Sequence, residues 1–420
     1  MKHYLRFYIF VFLYQPSLSF IIGLNSHILF LILSTPIIFN LLVKKDRRIL
    51  SVLKKKPLAS TIILFLIATL YASIRSAMAG ASLLTIMTTV AQGLLPILYL
   101  IMALLTNISL SDIGYTKNQK IELVLNTALV QSLIAILMLI FPPLKQLAIN
   151  IYYGAGAKEN IYIISNRIYG ICDGDYTYGL QISHAILAIT SLVYAYYNKR
   201  KRFYLYVPLL LSVTMLNGRT GLLIFIVGFL IFIIKELFSK KGLSKSLTIL
   251  ACSFCLSFGI IKLLPIVIPS SYGLIKHALN DFSENLAGES GTETGRYREM
   301  YVFPNDAQLV FGEGTRIVGK KGSAVGVNVS SDIGIINDLY LGGLIYTTLI
   351  YIAFYRLLLI SHSSSKDQFT TTLLLLLAIS ALLANLKGEF VRQPLLQTNF
   401  MLLISIPLYN SLNEKESSDD

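Results

Sequence analysis

Charge is scarce in this chain. Only 14% of its 420 residues are Asp, Glu, Lys or Arg, whereas a soluble domain carries about a quarter. Cysteine is sparse as well, with three residues, and an odd count implies no disulfide framework. Cys252 and Cys255 form a C-x-x-C inside an apolar stretch. A redox pair needs polar surroundings that stabilise a thiolate, so both read as small core residues. Cys172 stands alone in a proposed outer loop. There is no G-x-x-x-x-G-K-[ST] sequence, hence no sign of an ATP-driven pump. No His or Cys ligand set points to zinc, and no G-x-S-x-G elbow is present. The sequence calls for no metal and no cofactor.

What fills the chain instead is apolar: 55% of residues are hydrophobic. They fall in blocks of about 17–25, the length needed to cross a hydrocarbon slab. Backbone amides in lipid must be bonded internally, so each block is expected to be helical. The blocks lie at 4–24, 27–43, 58–75, 82–105, 119–141, 177–197, 203–217, 219–235, 246–267, 333–358, 369–387 and 394–411. The expected fold is therefore an all-α integral membrane protein of about twelve spans. The seventh and eighth blocks nearly abut at Asn217-Gly218, as a tight hairpin or as one long broken helix. Block one, Tyr4 to Leu24, shows no small-residue cleavage site and reads as a retained helix.

The formal charge of +14 would suggest nucleic acid in a soluble protein. Here the basic residues sit between apolar blocks, as topology requires, so membrane lipids are expected partners and nucleic acid is not. Lys44-Lys45-Asp46-Arg47-Arg48, Lys54-Lys55-Lys56, Lys199-Arg200-Lys201-Arg202 and Lys240-Lys241 all fall on one side of the predicted topology. Short loops rich in Lys and Arg stay cytoplasmic. Both termini are then cytoplasmic, and the acidic tail Glu414 to Asp420 is a solvated end. The chain divides into spans one to nine at 1–267, a large outer loop at 268–332 and spans ten to twelve with the tail at 333–420. A shorter outer loop covers 142–176. The large loop is too short and polar to hold a sizeable core, so short helices packed over the membrane domain are expected there.

The positive-inside pattern leaves the outward arginines unexplained. Arg219 opens the eighth block in Asn217-Gly218-Arg219-Thr220-Gly221. Arg296 and Arg298 lie in Gly295-Arg296-Tyr297-Arg298, Arg316 follows Gly312-Glu313-Gly314-Thr315, and Arg392 stands in the last outer turn. A guanidinium is a planar fork that matches phosphate oxygens and keeps its proton. Arg219 also opens a helix, whose free N–H groups favour an anion. The alternative for each is a solvated charge or a headgroup contact. Asp332, in Ser331-Asp332-Ile333-Gly334, is either a helix N-cap or a base for a sugar hydroxyl. Asp175, Tyr178 and Gln181 are spaced three apart and are expected to share a helical face, either for sugar contacts or as an interface belt. His184 reads as a hydrogen-bonded bundle residue. Asn337 and Asp338 are polar groups within the tenth block, the best handle for a transporter.

Several segments resemble the O-antigen polymerase and ligase superfamily. Asn217-Gly218-Arg219-Thr220-Gly221-Leu222-Leu223 is similar to its small-residue-Arg segment. Gly295-Arg296-Tyr297 through Phe311-Gly312-Glu313-Gly314 resembles its loop pattern. Ser331-Asp332-Ile333-Gly334, followed by Leu339 and Gly342-Gly343-Leu344-Ile345, is similar to the return into the membrane in the polymerases, and Tyr169-Gly170 to Tyr178-Gly179 is similar to the segment before their sixth helix. The ligases carry a His-Asn pair where this chain has Ser331-Asp332, so the resemblance favours polymerase. It implies a GT-C-like, metal-independent glycosyltransferase of the bacterial inner membrane. Such an enzyme joins undecaprenyl-pyrophosphate-linked oligosaccharides at the periplasmic face, with a chain-length-determining co-polymerase as partner. Arg219 and Arg296 would hold the pyrophosphates and Asp332 the acceptor hydroxyl, with Arg298, Arg316, Arg392, Asp175, Tyr178 and Gln181 as substrate-binding helpers. The alternatives are the ligase that transfers glycan to a lipid A core, and a flippase or transporter of lipid-linked oligosaccharide.

Overall fold

In this computed structural model the described residues are 1–16, 26–153, 168, 170–172, 178–238, 251, 254–259, 262, 276, 299–318, 330–363 and 367–414. Among them the regular structure is helical, without strands. Seven described helices are long and apolar enough to cross a membrane. This is a multi-pass helical membrane architecture. It divides into two compact units. One comprises Met1–Lys44, Ser109–Leu286 and Lys366–Ser380, and the other Lys45–Ile108, Ala287–Ser365 and Ala381–Asp420.

The first unit contains α1 (Lys2–Tyr14), α2 (Ser26–Val43), α6 (Lys117–Ile140), α7 (Pro142–Tyr153), α8 (Gly179–Tyr197), α9 (Tyr206–Asn217) and α10 (Arg219–Phe238). At its centre is α8, buried from Gly179 to Ala195. A helix buried on every side has no solvent face to offer. Its Ser183, Ala185, Ala188 and Ser191 let neighbouring helices approach closely. The start of α10 meets the start of α8, where the Gly221 amide donates to Gln181 Oε1 at 3.3 Å. Their ends meet as well, since the Tyr197 hydroxyl donates to Glu236. The segment leading into α9 lies instead at the end of α8, with Phe203 edge-on to Tyr194. Thus α9 runs antiparallel to α10, and the Asn217-Gly218 junction is a helical hairpin rather than one broken helix.

Charged groups cluster at the other end of this unit, away from the hairpin tip. Lys44 pairs with Asp112, Lys117 with Asp367, and Glu122 with Arg200 and Arg202. A capping box starts α6: the Gln119 amide donates to Thr116 Oγ1 and the Thr116 amide to Gln119 Oε1.

The stretch expected to form an outer loop from 142 onward opens with a helix, because Pro142-Pro143 stops α6 and starts α7 at once. Proline lacks an N–H but is preorganised for the first helical position. Cys255 is exposed and not a core residue. An apolar stretch gains nothing by hiding from lipid tails, so its cysteine need not face protein. Cys252 lies outside the described residues.

The second unit contains α3 (Arg48–Lys54), α4 (Lys56–Met78), most of α5 (Leu83–Asp112), α11 (Asp306–Phe311), α12 (Gly334–Ser363), the end of α13 (Gln368–Asn385) and α14 (Pro394–Glu414). Helix α4 packs along α12. The buried stripe of α4, including Phe65, Ala68, Ala72 and Ser76, recurs every three or four residues, while Ile63, Leu66, Ile67, Leu70 and Ile74 are exposed. A wide apolar outer face suits lipid and not water.

The tenth block was expected as one continuous span, but α12 is interrupted at Gly342-Gly343, where Gly343 has φ 65° and ψ −164°. That conformation is essentially confined to glycine. A Cβ on Gly312 would also stand 2.5 Å from Gly342 Cα. The interruption therefore admits the backbone that follows α11.

Candidate functional site

The buried charges of the second unit meet where α12 starts, α13 ends and α14 begins. Gly334 makes the approach feasible, because a Cβ there would lie 2.0 Å from Asn385 Oδ1 and 2.2 Å from the Gly388 carbonyl. The chain then turns through a single 3-10 turn, Phe390–Arg392, braced by the Phe390 amide donating to Asn385 Oδ1 at 3.1 Å. This turn sends Arg392 into the bundle. Its Nη2 lies 3.1 Å from Asp338 Oδ1 and donates to the Tyr346 hydroxyl at 3.2 Å. Asn385 Nδ2 donates to the other Asp338 oxygen at 3.3 Å.

Arg316 reaches the same place from the loop after α11. Its Nη1 donates to Glu389 Oε2 at 2.6 Å, while Glu389 Oε1 faces Arg392 Nη1 at 3.5 Å. The order Arg316, Glu389, Arg392, Asp338 alternates in sign, so the formal charges cancel. Burial, and then Arg392, pushes the Arg316 guanidinium down from its ordinary value, with Glu389 opposing. Burial alone would lower Arg392 too, but Tyr346, Asp338 and Glu389 more than offset it and hold it above its ordinary value.

The loop that delivers Arg316 is held by its carbonyls. Tyr71 Oη donates to Phe311 O at 3.1 Å, Arg75 Nη2 to Gly312 O at 2.6 Å, and Ser76 Oγ to Gly314 O at 2.7 Å. The Glu313 amide donates to Tyr340 O at 2.6 Å, just before the interruption of α12. Burial raises the Glu313 carboxyl, against the pull of Arg75. Asn337 ties down the far end of the loop. Its Oδ1 accepts from the Ile317 amide at 3.0 Å, and its Nδ2 donates to Ser331 O at 2.7 Å. Adjacent Asn337 and Asp338 thus do different work: the first fixes the loop and the second compensates Arg392.

Asp332 is exposed at this rim. The turn into α12 is closed by Ser331, whose Oγ accepts from the Ile333 amide at 3.2 Å. In the first unit, Gln181 lies buried at the hairpin tip beside Gly218 and Gly221. Tyr178 does not share its helical face as expected, because α8 starts one residue later and Tyr178 stands at its cap. Arg219 opens α10 as read from sequence, but its side chain lies outside the described residues, as do Asp175, Arg296 and Arg298. His184 is buried, with Nδ1 3.0 Å from the Leu180 carbonyl.

Of the arginines expected to face outward, then, Arg316 and Arg392 come together through Glu389. Sequence reasoning missed Glu389, Asn385, Tyr346 and Arg75. One signal for Glu389 was available, since Glu389 and Arg392 stand three apart in a short turn between apolar blocks. Among the described residues, no three His, Cys, Asp or Glu side chains gather to hold a metal ion. No protein-family model matches the chain, and no curated protein matches it either.

Proposed function

We propose that this protein polymerises undecaprenyl-pyrophosphate-linked oligosaccharide repeat units at the outer face of a bacterial inner membrane. It would act as a GT-C-like, metal-independent glycosyltransferase of about twelve spans with a large outer loop and both termini cytoplasmic. The observation that carries the reading is a buried arginine–carboxylate centre at the end of the second unit remote from its basic loop. Helix α4 begins at the basic run Lys54 to Lys56, and its far end, at Arg75 and Ser76, grips the loop that bears Arg316. Short basic loops stay cytoplasmic, so the arginine end is extracytoplasmic. That is the side on which a lipid-linked glycan awaits polymerisation.

In the reaction, the acceptor hydroxyl oxygen attacks the anomeric carbon of the donor glycan. The bond from that carbon to the pyrophosphate oxygen breaks, the hydroxyl proton passes to a base, and undecaprenyl pyrophosphate leaves. Negative charge grows on the leaving group, and preoriented guanidinium groups stabilise it. We assign that role to Arg219 and Arg296. Arg316 and Arg392 are neutralised by Glu389 and Asp338, so they shape the acceptor side and do not hold the diphosphate. Asp332 is the base assigned to the acceptor hydroxyl. A chain-length-determining co-polymerase is the expected partner.

One observation favours a second reading. An interrupted helix beside a buried carboxylate, as at Gly342-Gly343 and Asp338, also occurs in transporters. Purified protein supplied with lipid-linked repeat units separates the two. A ladder of lengthening glycans, lost in Arg219→Ala and Arg296→Ala, is the expected result. Transfer of lipid-linked glycan across a vesicle with no ladder would overturn the proposal.

A further inference from the structure

A second feature lies beside the ion network, where α14 begins. Five buried side-chain atoms there lack a hydrogen-bond partner: Glu389 Oε1, Arg392 Nη1, Gln393 Oε1, and both Nε2 and Oε1 of Gln397. Gln397 is only 2% exposed and Arg392 8%. Unmet polar groups away from water are costly, and more so in a membrane protein, where no solvent reaches them. A buried amide with neither end satisfied requires a partner.

The local geometry gathers these atoms. Gln393 and Gln397 are one helical turn apart, and the Gln397 amide nitrogen donates to Gln393 O at 3.0 Å. Side chains on a helix lean toward its N-terminus, so Gln397, in the first turn of α14, leans toward that end, where Gln393 stands as the extended cap residue. The Gln393 amide in turn donates to Glu389 O at 3.1 Å, which brings the Glu389–Arg392 turn against the same end. Glu389 Oε1 and Arg392 Nη1 face each other at 3.5 Å without a hydrogen bond, leaving both available to a third group. Phe390 anchors the turn from behind, packed on Phe354 and Phe400.

The chemistry of the free atoms selects the ligand. Arg392 Nη1 and Gln397 Nε2 donate, whereas Glu389 Oε1, Gln393 Oε1 and Gln397 Oε1 accept. A phosphate brings only acceptors to such a site and would meet the Glu389 carboxylate. An ammonium brings only donors and would meet the Arg392 guanidinium. Water and a hydroxyl both donate and accept, and neighbouring hydroxyls fixed on a sugar ring match several adjacent donor and acceptor atoms at once, as a single water does not. We infer that the turn from Glu389 to Gln397 is a subsite for sugar hydroxyls. That the sugar belongs to the acceptor glycan rests on the polymerase reading; the hydroxyl recognition does not.

The test uses the full-length protein in lipid nanodiscs. The probes are methyl glycosides of glucose, galactose, mannose and N-acetylglucosamine, with inorganic pyrophosphate as competitor. Saturation-transfer NMR is expected to show ring-proton contact for at least one glycoside, unaffected by pyrophosphate. Gln397→Leu should weaken that binding about tenfold, the upper end for loss of one neutral hydrogen bond. Gln393→Leu, at a half-buried position, guards against misfolding of the first variant and should weaken it as well. In the sugar-free protein, Gln397→Leu should raise the melting temperature, because it removes a buried amide with no partner. A residue that is only structural would lower it. The inference falls if no glycoside binds the wild type, if both variants bind as the wild type does, or if pyrophosphate displaces the sugar. If glycoside binding depends on Gln397 but no glycan ladder forms, the subsite stands and the polymerase reading fails. A ladder from protein whose glycoside binding ignores Gln397 and Gln393 has the opposite meaning.

Discussion

The two units use opposite charges in different ways. In the first, Lys44 and Asp112 are 49% and 17% exposed, and Arg202 with Glu122 is 56% and 16% exposed. In the second, the side chains of Arg392 and Asp338 are only 5% and 2% exposed. Pairs half in water contribute little, because solvent and salt screen them and long side chains resist ordering. Buried pairs behave otherwise. Their removal from water is barely offset by mutual attraction, yet losing one partner strands the other. The first set therefore contributes little, and the second commits the second unit to one arrangement of α12, the end of α13 and α14.

The largest effect should come from stranding a charge. Arg392→Ala leaves Asp338 buried without its cation, and a loss of about 3–5 kcal/mol is expected. Denaturant or thermal unfolding in detergent measures it. Adding Asp338→Asn to that variant should recover part of the loss, giving a coupling energy well above that of any surface pair. If the double variant is no better than the single one, the two units do not differ as described.

Next comes the backbone that lets Arg316 reach Glu389. Gly343→Ala puts a Cβ in a conformation reserved for glycine, 2.2 Å from Val310 O. A loss of about 1–3 kcal/mol is expected from the strain alone. Wild-type stability in this variant would mean that the interruption of α12 is not fixed by the loop.

The smallest effects belong to the first unit. Lys117→Ala should cost less than about 1 kcal/mol, as exposed pairs do. It also predicts a pH signature. Partial burial works to raise the Asp367 carboxyl, but hydrogen bonds from Lys117 and Thr370 outweigh it and hold the group below its ordinary value. A depressed carboxyl stabilises the fold above its unfolded value, and that contribution fades as the pH falls through the folded one. Acid titration of stability should thus be slightly steeper for wild type than for Lys117→Ala. Equal slopes would show that Lys117 does not set the Asp367 value.

The sequence made some of this legible and hid the rest. Apolar blocks bounded by basic runs were enough to locate α4, α6, α8, α10 and α13 to within a few residues, because lipid imposes length and composition together. The interruption of α12 was hidden, since Gly342-Gly343 within an apolar run also fits unbroken helix packing. Asp338 was visible as a polar group inside a span, but its partner Arg392 lies far along the chain and no local spacing links them. Glu389 has no neighbour in sequence that announces Arg316, 73 residues earlier, as its partner. Pro142-Pro143 carried a helix-start signal that the polarity of the following segment masked.

The central claim is glycosyl transfer from a polyprenyl pyrophosphate at the arginine-bearing end. It is tested most directly by counting undecaprenyl pyrophosphate released against linkages formed, using purified protein and two lipid-linked repeat units. The account predicts one released carrier for each new linkage, with neither product from Arg219→Ala or Arg296→Ala. Carrier that stays glycosylated while the glycan crosses the membrane would contradict it.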